Sequence, residues 1–515
     1  MFLLAQPAAA GANEDAAAAY LQRNYTAALQ LWRPLADQGN ASAQFNLGVL
    51  YDNGHGVQQD KEEAVSWYRR AASQGLADAQ LKLGSIYNDG AGVPRDDVEA
   101  FRWYRLAADR GLALAQYNVG VAYDEGRGVR RDVAEAAKWQ RLAAEQNFAP
   151  AQYGLGIMYG IGRGVPLDYV EASKWYQLAA NQGNAEARAS LGVLYDKGRG
   201  VTQDFAKALK FYRLAADQGS AVAQNNLGAM YYSGHGVPQD YAAALKWYML
   251  AADQRYVAAQ FNLGTMYDEG HGVAGDPVEA ARWFRLAAGQ ALALAQFNLG
   301  VMSATGRGMA QDQVEAAKWY RLAGVQGHAG AQHNLGVAYE TGQGVPQDYA
   351  NAAKWFRLAA EQGDADAQFH LGVRYDNGQG VTQDYVEAAS WYRYAAVQGH
   401  AAARNSLGSM YEYGLGVPQE YLEAAKWYQL SADQGFVKAQ YNLGIMYANG
   451  RGVPQDFIIA HQWLDLAATG FPESDTKDRE DAASNLDAIA AQMSAEQIIE
   501  ARRLAKEWLA SHPRS

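Results

Sequence analysis

Residues 41–76 read ASAQFNLGVLYDNGHGVQQDKEEAVSWYRRAASQGL, and blocks of this length and pattern follow one another along the chain without insertion or deletion. Their clearest marker is a Leu-Gly pair, which occurs twelve times at intervals of thirty-six residues, with Val119 in place of the leucine in one block. A fixed period in this range indicates units that cannot bury their apolar face alone and therefore stack on their neighbours. The sequence thus predicts a solenoid with a continuous core.

The first half of each block has the spacing of an amphipathic helix, which we call helix A. In the first block, apolar residues recur at i, i+4, i+7 and i+8, namely at Ala43, Leu47, Leu50 and Tyr51. Gly48 lies beside this stripe, where the missing side chain allows a neighbouring helix to approach closely. Gly54 follows the last periodic residue and is expected to end the helix in the left-handed conformation.

The second half predicts another helix, helix B, which begins at an acidic residue such as Asp60. Its carboxylate can accept N–H groups that the first turn leaves free, and every block has Asp here except one, which has Glu420. In eight blocks a Glu follows three residues later, so we interpret these acidic pairs as capping boxes and not as acid/base dyads. The buried face is predicted from the helical spacing, at Ala64, Trp67, Tyr68, Ala71 and Ala72. Glu and Lys or Arg at i, i+3 on the outer face indicate a solvated surface.

Two blocks have a bulkier residue where most of the others have the glycine that ends helix B. Arg255 and Ala291 stand in its place. A residue with a side chain costs about 1 kcal/mol in the left-handed conformation that such a cap requires. We therefore expect local strain at these two positions.

Together these residues resemble a known family. They are similar to the Sel1-like repeat (SLR), a relative of the tetratricopeptide repeat, through the pattern A-x-A-Q-x-N-L-G-x-x-Y-x-x-G-x-G-V-x-x-D-x-x-x-A-x-x-W-Y-x-x-A-A-x-Q-G, nearly complete from Ala43 to Gly75 and again from Ala223 through Gly236. The resemblance implies an all-α fold, a right-handed superhelical solenoid of antiparallel helix pairs with helix A on the concave side. That family uses the fold as a protein-binding scaffold, and its bacterial members are often exported and attached to signalling, secretion or envelope-polysaccharide systems.

The period also divides the chain into segments. Residues 41–472 are predicted to form twelve repeats with caps on both sides, because the ends of a solenoid would otherwise expose its core. Residues 13–40 resemble a tetratricopeptide-type helical hairpin. Residues 473–515 contain Ser494, which begins a capping box and a final helix that carries Trp508.

Residues 1–12 carry the one addressing signal. They combine a short apolar stretch with small residues that suit a signal peptidase, but they lack the positively charged N-terminal region of a signal peptide. A signal-peptide remnant and a disordered apolar tail both fit this composition. No stretch approaches the roughly 20 apolar residues of a transmembrane helix. We expect an exported chain, periplasmic or secreted, with a cytoplasmic location as the alternative.

The composition narrows the classes of ligand and reaction. The formal net charge is −11, and nucleic-acid binding needs a basic surface, so we expect no nucleic-acid partner. The chain has no cysteine, which removes disulfides, thiolate nucleophiles and cysteine-based zinc sites. The sequence has no nucleophile elbow, P-loop, H-E-x-x-H helix or dinucleotide-binding loop. We predict a non-catalytic protein without a cofactor and keep a hydrolase as the least favoured alternative.

Two of the nine histidines raise the question of a metal site. His333 and His370 fall on adjacent A helices, where they could approach each other. Two histidines without a third ligand are a weak basis for metal binding. The sequence therefore predicts no metal site.

The candidate binding residues lie on helix A. On a helical wheel with Leu47 at the core, Phe45 falls on the opposite, outward side, and this position is often aromatic. The next position is often Asn, although Asn is a poor helix former, and related tetratricopeptide grooves use such asparagines to bind the backbone of an extended peptide. We therefore predict a partner polypeptide in the concave groove, contacted by Phe45, Tyr117, Tyr153, Phe261, Phe297, His333, Phe369 and Tyr441 and by Asn46, Asn118, Asn226, Asn262, Asn298, Asn334 and Asn442.

Two alternatives stay open for these residues. The aromatic rings can instead pack between neighbouring A helices while the asparagines satisfy polar groups between repeats. An envelope carbohydrate-binding module is the second alternative, since outward aromatic and Asn side chains also suit a glycan. The function that the sequence favours is a scaffold or adaptor that regulates or assembles a bacterial envelope, signalling or secretion system.

Overall fold

The computed structural model describes residues 6–512, with side chains from residue 11 onward. Within that range it contains helices and no strands, which confirms the all-α prediction. The chain divides into two compact units, one up to Ala259 and one from Gln260. Each unit is built from A and B helices that pack as consecutive pairs. None of the described helices combines the length and the apolarity needed to cross a membrane.

The first unit begins with α1 (Gln6–Leu21) and α2 (Tyr25–Asp37). Its A helices are α3 (Ala41–Asn53), α5 (Ala77–Asp89), α7 (Ala113–Glu125), α9 (Ala149–Ile161), α11 (Ala185–Lys197) and α13 (Ala221–Ser233). Its B helices are α4 (Lys61–Ser73), α6 (Asp97–Asp109), α8 (Val133–Glu145), α10 (Tyr169–Asn181), α12 (Phe205–Ala216) and α14 (Tyr241–Asp253). The second unit begins within the next A helix, α15 (Val257–Glu269).

The remaining A helices of the second unit are α17 (Ala293–Thr305), α19 (Ala329–Thr341), α21 (Ala365–Asn377), α23 (Ala401–Tyr413) and α25 (Val437–Asn449). Its B helices are α16 (Pro277–Gly289), α18 (Gln313–Val325), α20 (Tyr349–Ala360), α22 (Tyr385–Val397), α24 (Tyr421–Ala432) and α26 (Phe457–Gly470). Two further helices follow, α27 (Thr476–Ala490) and α28 (Ala495–Ser511).

The predicted helix boundaries are confirmed by the caps. Gly54 ends α3 in the left-handed conformation, with φ of 71°. Asp60 begins α4, and its Oδ1 accepts the N–H of Glu63 at 2.9 Å. Glu420, the exception at this position, makes no hydrogen bond of this kind, because its longer side chain does not reproduce the Asp geometry.

Of the two hydrogen bonds that make up a capping box, B helices such as α6 form only one, so the predicted boxes are wrong in their second hydrogen bond. Asp96 accepts the N–H of Glu99 at 3.1 Å, but its own N–H donates to the carbonyl of Tyr87 at 3.0 Å. The N–H that the glutamate would accept is therefore already used by the preceding A helix. The box at the last helix is complete, since the N–H of Ser494 donates to Gln497 Oε1 at 2.8 Å.

The strained caps at the ends of B helices are present. Arg255 and Ala291 each adopt φ of 63°, as predicted. Asn147 adopts the same φ in a third block, which was not predicted. The left-handed conformation is less unfavourable for Asn than for other residues with a side chain, so the strain is concentrated at Arg255 and Ala291.

The Leu-Gly marker is explained by the packing of A against B helices. A Cβ added to Gly156 would lie 2.5 Å from both Cδ1 and Cε1 of Tyr176 on the paired B helix. At Gly48, where a close approach was predicted, the same two atoms of Tyr68 would lie at 2.7 Å. Both tyrosines are buried. The glycine therefore leaves room for an aromatic ring directly on the backbone of the A helix.

A buried glutamine network that was not predicted joins successive repeats. Gln152 Nε2 donates to the carbonyl of Ala144 at the end of the preceding B helix, at 3.2 Å. Gln152 Oε1 accepts from Gln182 Nε2 at 2.7 Å. Among the described residues Gln80 Oε1 has no such partner, because Arg110 occupies the place of the second glutamine. Since buried polar groups need partners, the network satisfies helix-end carbonyls that would otherwise be left open.

The end segments differ from the predicted boundaries in detail. Residues 6–12 belong to α1, which continues past the boundary predicted at residue 12. Residues 1–5 lie outside the described residues, so the signal remnant and the disordered tail stay predictions there. In the second unit, the ring centroids of Trp508 on α28 and Trp463 on α26 lie 6.0 Å apart, a contact of the type expected from a cap.

Candidate interaction surface on the A helices

The predicted aromatic row does not lie opposite the core. Each of these rings is half-buried and most face the B helix of their own pair; the Phe45 centroid, for example, lies 5.5 Å from that of Tyr68. The same contact is made by Phe261 on Phe284, Tyr153 on Tyr176, Phe297 on Tyr320, His333 on Phe356 and Phe369 on Tyr392. The helical wheel failed because an A helix in a solenoid packs on its own B helix and on the adjacent repeats, so little of its circumference is free.

Several rings also contact the next repeat. The partner is the residue that precedes the next A helix, with centroid distances of 4.4 Å for Phe297 and His328, 4.6 Å for Phe369 and His400, and 5.6 Å for Tyr117 and Phe148. Tyr441 instead accepts a hydrogen bond from Asn485 of α27 at 3.1 Å. These contacts favour a packing role for the aromatic row.

The predicted asparagines are also half-buried, and three of them line the same kind of pocket. Each pocket lies between two successive A helices and includes the buried tyrosine of the earlier B helix. The three pairs are Asn118 with Tyr104, Asn226 with Tyr212, and Asn334 with Tyr320. The cavity at Asn226 has a volume of about 230 Å³ and that at Asn334 about 210 Å³. We call these three cavities the asparagine pockets.

The pocket at Asn226 shows the groups that a ligand would meet. Burial raises the pKa of the Tyr212 hydroxyl and the charge of Asp196 raises it further, while a hydrogen bond with Asn226 opposes the shift. Lys197 and His235 also line this cavity. The pocket therefore offers several hydrogen-bond donors and acceptors in a half-buried setting.

Serine replaces the asparagine in two repeats and keeps part of its role. Ser190 hydrogen-bonds Tyr176, and Ser406 hydrogen-bonds Tyr392. Asn442 makes a different contact, since its Nδ2 donates to Asn405 Oδ1 at 3.0 Å. Asn46, Asn262 and Asn298 lie at the same position of their A helices.

Charged groups on the same surface pair with one another. Asp124 near the end of α7 lies 2.8 Å from Arg163 of the following repeat. In the second unit, the Arg374 side chain is 7% exposed and its Nη2 lies 2.7 Å from Glu340 Oε1. Sequence spacing alone did not predict these pairs, because their members belong to different repeats.

The B helices expose apolar side chains that were not predicted. Leu286 and Leu322 are 45% and 46% exposed, and a leucine occupies this position in most B helices. They stand on the face where ion pairs such as Glu315–Lys318, at 3.7 Å, were expected. Leucine is also the core residue of the A helices, so residue type alone does not separate exposed from buried leucines.

Comparisons with known proteins agree with this architecture. The model of the Sel1 repeat family matches thirteen segments between residues 16 and 470. The first, residues 16–40, lies in the segment predicted as an N-terminal cap, so the family model adds one shorter unit to the twelve predicted repeats. No curated protein matches the chain.

Solved structures extend the similarity to nearly the whole chain. A protective antigen present in uropathogenic Escherichia coli strains, which displays an SLR fold, is 35% identical, with 94% of this chain and 95% of that chain covered and a TM-score of 0.61. A Sel1 repeat protein from Oxalobacter formigenes is also 35% identical, with 59% and 88% covered and a TM-score of 0.49. The match to the repeat family, the pairing of the helices and the similarity to a solved SLR structure over nearly the full length all agree with the sequence pattern. The chain therefore belongs to the Sel1 repeat family.

Proposed function

We propose that the protein is a non-catalytic scaffold that binds an extended segment of a partner polypeptide along its A helices. The observation that carries this proposal is the recurrence of the asparagine pockets, in which the same amide is presented at the same repeat position. An Asn amide offers both a donor and an acceptor, as a peptide backbone does. Regularly spaced amides therefore suit a ligand whose polar groups also recur along a chain.

The contacts of the aromatic row favour a polypeptide over a glycan. Stacking on a sugar requires a ring with a free face, but Phe297 and Phe369 each already stack on a histidine of the next repeat. The net charge of −11 adds a preference for basic or neutral partners, because acidic ones would be repelled.

We also propose that the protein works outside the cytoplasm of a bacterium, where it would assemble or regulate an envelope, signalling or secretion system. The apolar residues 1–12 support export. The relative from Escherichia coli, named as a protective antigen and similar over nearly its full length, supports the same location.

Binding in the asparagine pockets predicts the behaviour of the triple variant N118S/N226S/N334S. Serine keeps a hydroxyl for the buried tyrosine, as Ser190 does for Tyr176, but it removes the amide. Affinity capture from cells that naturally express the protein is expected to recover a polypeptide with the unsubstituted chain and to lose most of it with the variant, while circular dichroism stays unchanged.

The matched control replaces three exposed lysines on the outer face of the B helices, each twenty residues further along the chain, in K138A/K246A/K354A. If both triple variants retained the partner, the asparagine pockets would not be part of the binding surface. Capture of an envelope polysaccharide in place of a polypeptide would favour the carbohydrate-binding alternative.

A further inference from the structure

A cluster of metal-ligand side chains lies where α19 meets the start of α21. His333, Asp364 and Asp366 each offer a ligand atom, and these atoms all lie within 4.8 Å of one another. His333 belongs to α19, Asp364 is the N-cap of α21, and Asp366 lies in its first turn. From the sequence, His333 was expected to approach His370 without a third ligand. The fold brings two carboxylates, those of Asp364 and Asp366, close to His333.

We propose that His333, Asp364 and Asp366 bind a divalent transition-metal ion. An imidazole nitrogen with carboxylate oxygens is a donor set that Zn²⁺ and its neighbours accept. Two carboxylates with a neutral imidazole also balance the charge of a dication. Three protein ligands leave coordination positions for water or for a group of a bound partner.

The environment of His333 supports a role as ligand. Seven of the other eleven repeated A helices carry Phe or Tyr at this position, as at Phe297 and Phe369, so an apolar ring satisfies the packing. His333 Nε2 is nevertheless buried and has no hydrogen-bond partner among the described residues, which is unusual for a polar atom. Burial lowers the pKa of His333, although the charge of Asp364 opposes this shift.

His400 orients one of the ligands. Its Nδ1 accepts the N–H of Ala403 at 3.1 Å, so in the neutral ring the proton is on Nε2. That Nε2 lies 3.2 Å from Asp366 Oδ1, and the N–H therefore donates to this carboxylate. His400 is a positioning residue of the type that holds metal ligands from outside.

His370 is committed elsewhere. Its Nδ1 lies 3.1 Å from Glu340 Oε2, and its ring stacks on Phe356 with centroids 4.8 Å apart. We therefore leave His370 out of the ligand set, and its substitution becomes a test of that set.

Calorimetric titration of the metal-free, full chain with Zn²⁺ tests the proposal. We expect one site that is weakened at least about tenfold in His333→Phe and in Asp366→Asn, since even outer-shell changes have effects of this size. His333→Phe introduces the residue that other repeats use, so the variant is expected to fold.

Two control variants are expected to bind Zn²⁺ as the unsubstituted chain does. Asp78 lies exposed at the same position of α5 as Asp366 in α21, and Asp78→Asn removes an equivalent charge away from the cluster. His370→Asn introduces the residue common at that position. The proposal is overturned if the chain takes up no Zn²⁺, if both ligand variants bind normally, or if either control loses the site.

The positioning role of His400 is tested by His400→Asn. Asn40 caps α3 by accepting the N–H of Ala43 at 2.9 Å, so Asn at residue 400 is expected to keep the cap. Loss of the stack on Phe369 is expected to lower the metal-free Tm slightly. We expect about tenfold weaker Zn²⁺ binding and an altered absorption spectrum of bound Co²⁺. An unchanged affinity and spectrum would contradict this role.

Discussion

Gly156→Ala is expected to destabilise the α9–α10 pair by about 2 kcal/mol, although Ala is the better helix former. Ala gains about 1 kcal/mol of helix propensity, but its Cβ would lie 2.5 Å from two ring atoms of the buried Tyr176. Overpacking of this kind costs about 3 kcal/mol at the upper end of its usual range, so the clash outweighs the propensity. Hydrogen exchange should show amide protection in this pair reduced about thirtyfold, the equivalent of 2 kcal/mol.

Gly120→Ala in the preceding repeat is the matched control. There the facing residue is Gln140, whose Cγ would lie 3.1 Å from the new Cβ. The new Cβ would also lie 3.2 Å from the backbone oxygen of Ala136, but the flexible Gln140 side chain can change its torsions, whereas a buried ring cannot. Stability within about 1 kcal/mol of the unsubstituted chain is expected. Equal loss in both variants would mean that the helix-to-helix distance, and not the tyrosine ring, selects the glycine.

Glu340→Ala is expected to destabilise the second unit by about 3 kcal/mol, because it leaves a buried guanidinium without its counter-ion. Arg374 is 7% exposed at its side chain and pairs with Glu340 at 2.7 Å. Its Nε and Nη1 have no hydrogen-bond partner among the described residues. The Tyr349 ring, whose centroid lies 5.0 Å from Arg374 Cζ, is neutral and does not replace a counter-ion. The measurement is the urea midpoint of the variant, with hydrogen exchange in α19 and α21 to locate the change.

A double variant distinguishes loss of the ion pair from loss of glutamate packing. Met occupies the position of Arg374 in several repeats, as at Met230 and Met410, where it is buried. In Glu340→Ala/Arg374→Met the unpaired charge is gone, and stability is expected to return to within about 1 kcal/mol of the unsubstituted chain. A double variant as unstable as Glu340→Ala alone would contradict the assignment.

The parts of the fold that depend on local geometry were predictable from the sequence. A left-handed φ favours glycine at Gly54, and the unpaired N–H groups of a first helical turn favour Asp at Asp60. Each of these local structures therefore requires a particular residue type at a fixed position of the repeat. The thirty-six-residue period then shows that the same local structures recur. These signals were sufficient to predict the helix pairs and most of the residues at which the helices begin and end.

The contacts between repeats were not predictable in the same way. Gln152 and Gln182 read as ordinary polar residues, and their roles become visible once the preceding helix end is beside them. The helical wheel assigned Phe45 to an outward face because it considered one helix alone. His333 and Asp366 are likewise brought together by the stacking of two repeats.

The candidate site was therefore predicted in part. The position of Asn226 on helix A was identified from its repetition and its poor helix propensity, and the structure places Asn226 in a cavity beside Tyr212. The neighbouring aromatic residues were predicted to contact a ligand, but the Phe369 ring already stacks on His400. Sequence periodicity identifies which positions recur, while burial decides which of them remain available to a partner.

Site-specific cross-linking tests the proposed binding surface most directly, because the chain contains no cysteine. Single-cysteine variants at Asn118, Asn226 and Asn334 would carry a photoreactive maleimide, with Lys138, Lys246 and Lys354 as matched positions on the B helices. Irradiation with the native partner mixture is predicted to give the same polypeptide adduct at the three A-helix positions and little at the lysine positions. Adducts at the lysine positions alone would contradict binding along the A helices and place the partner on the outer face.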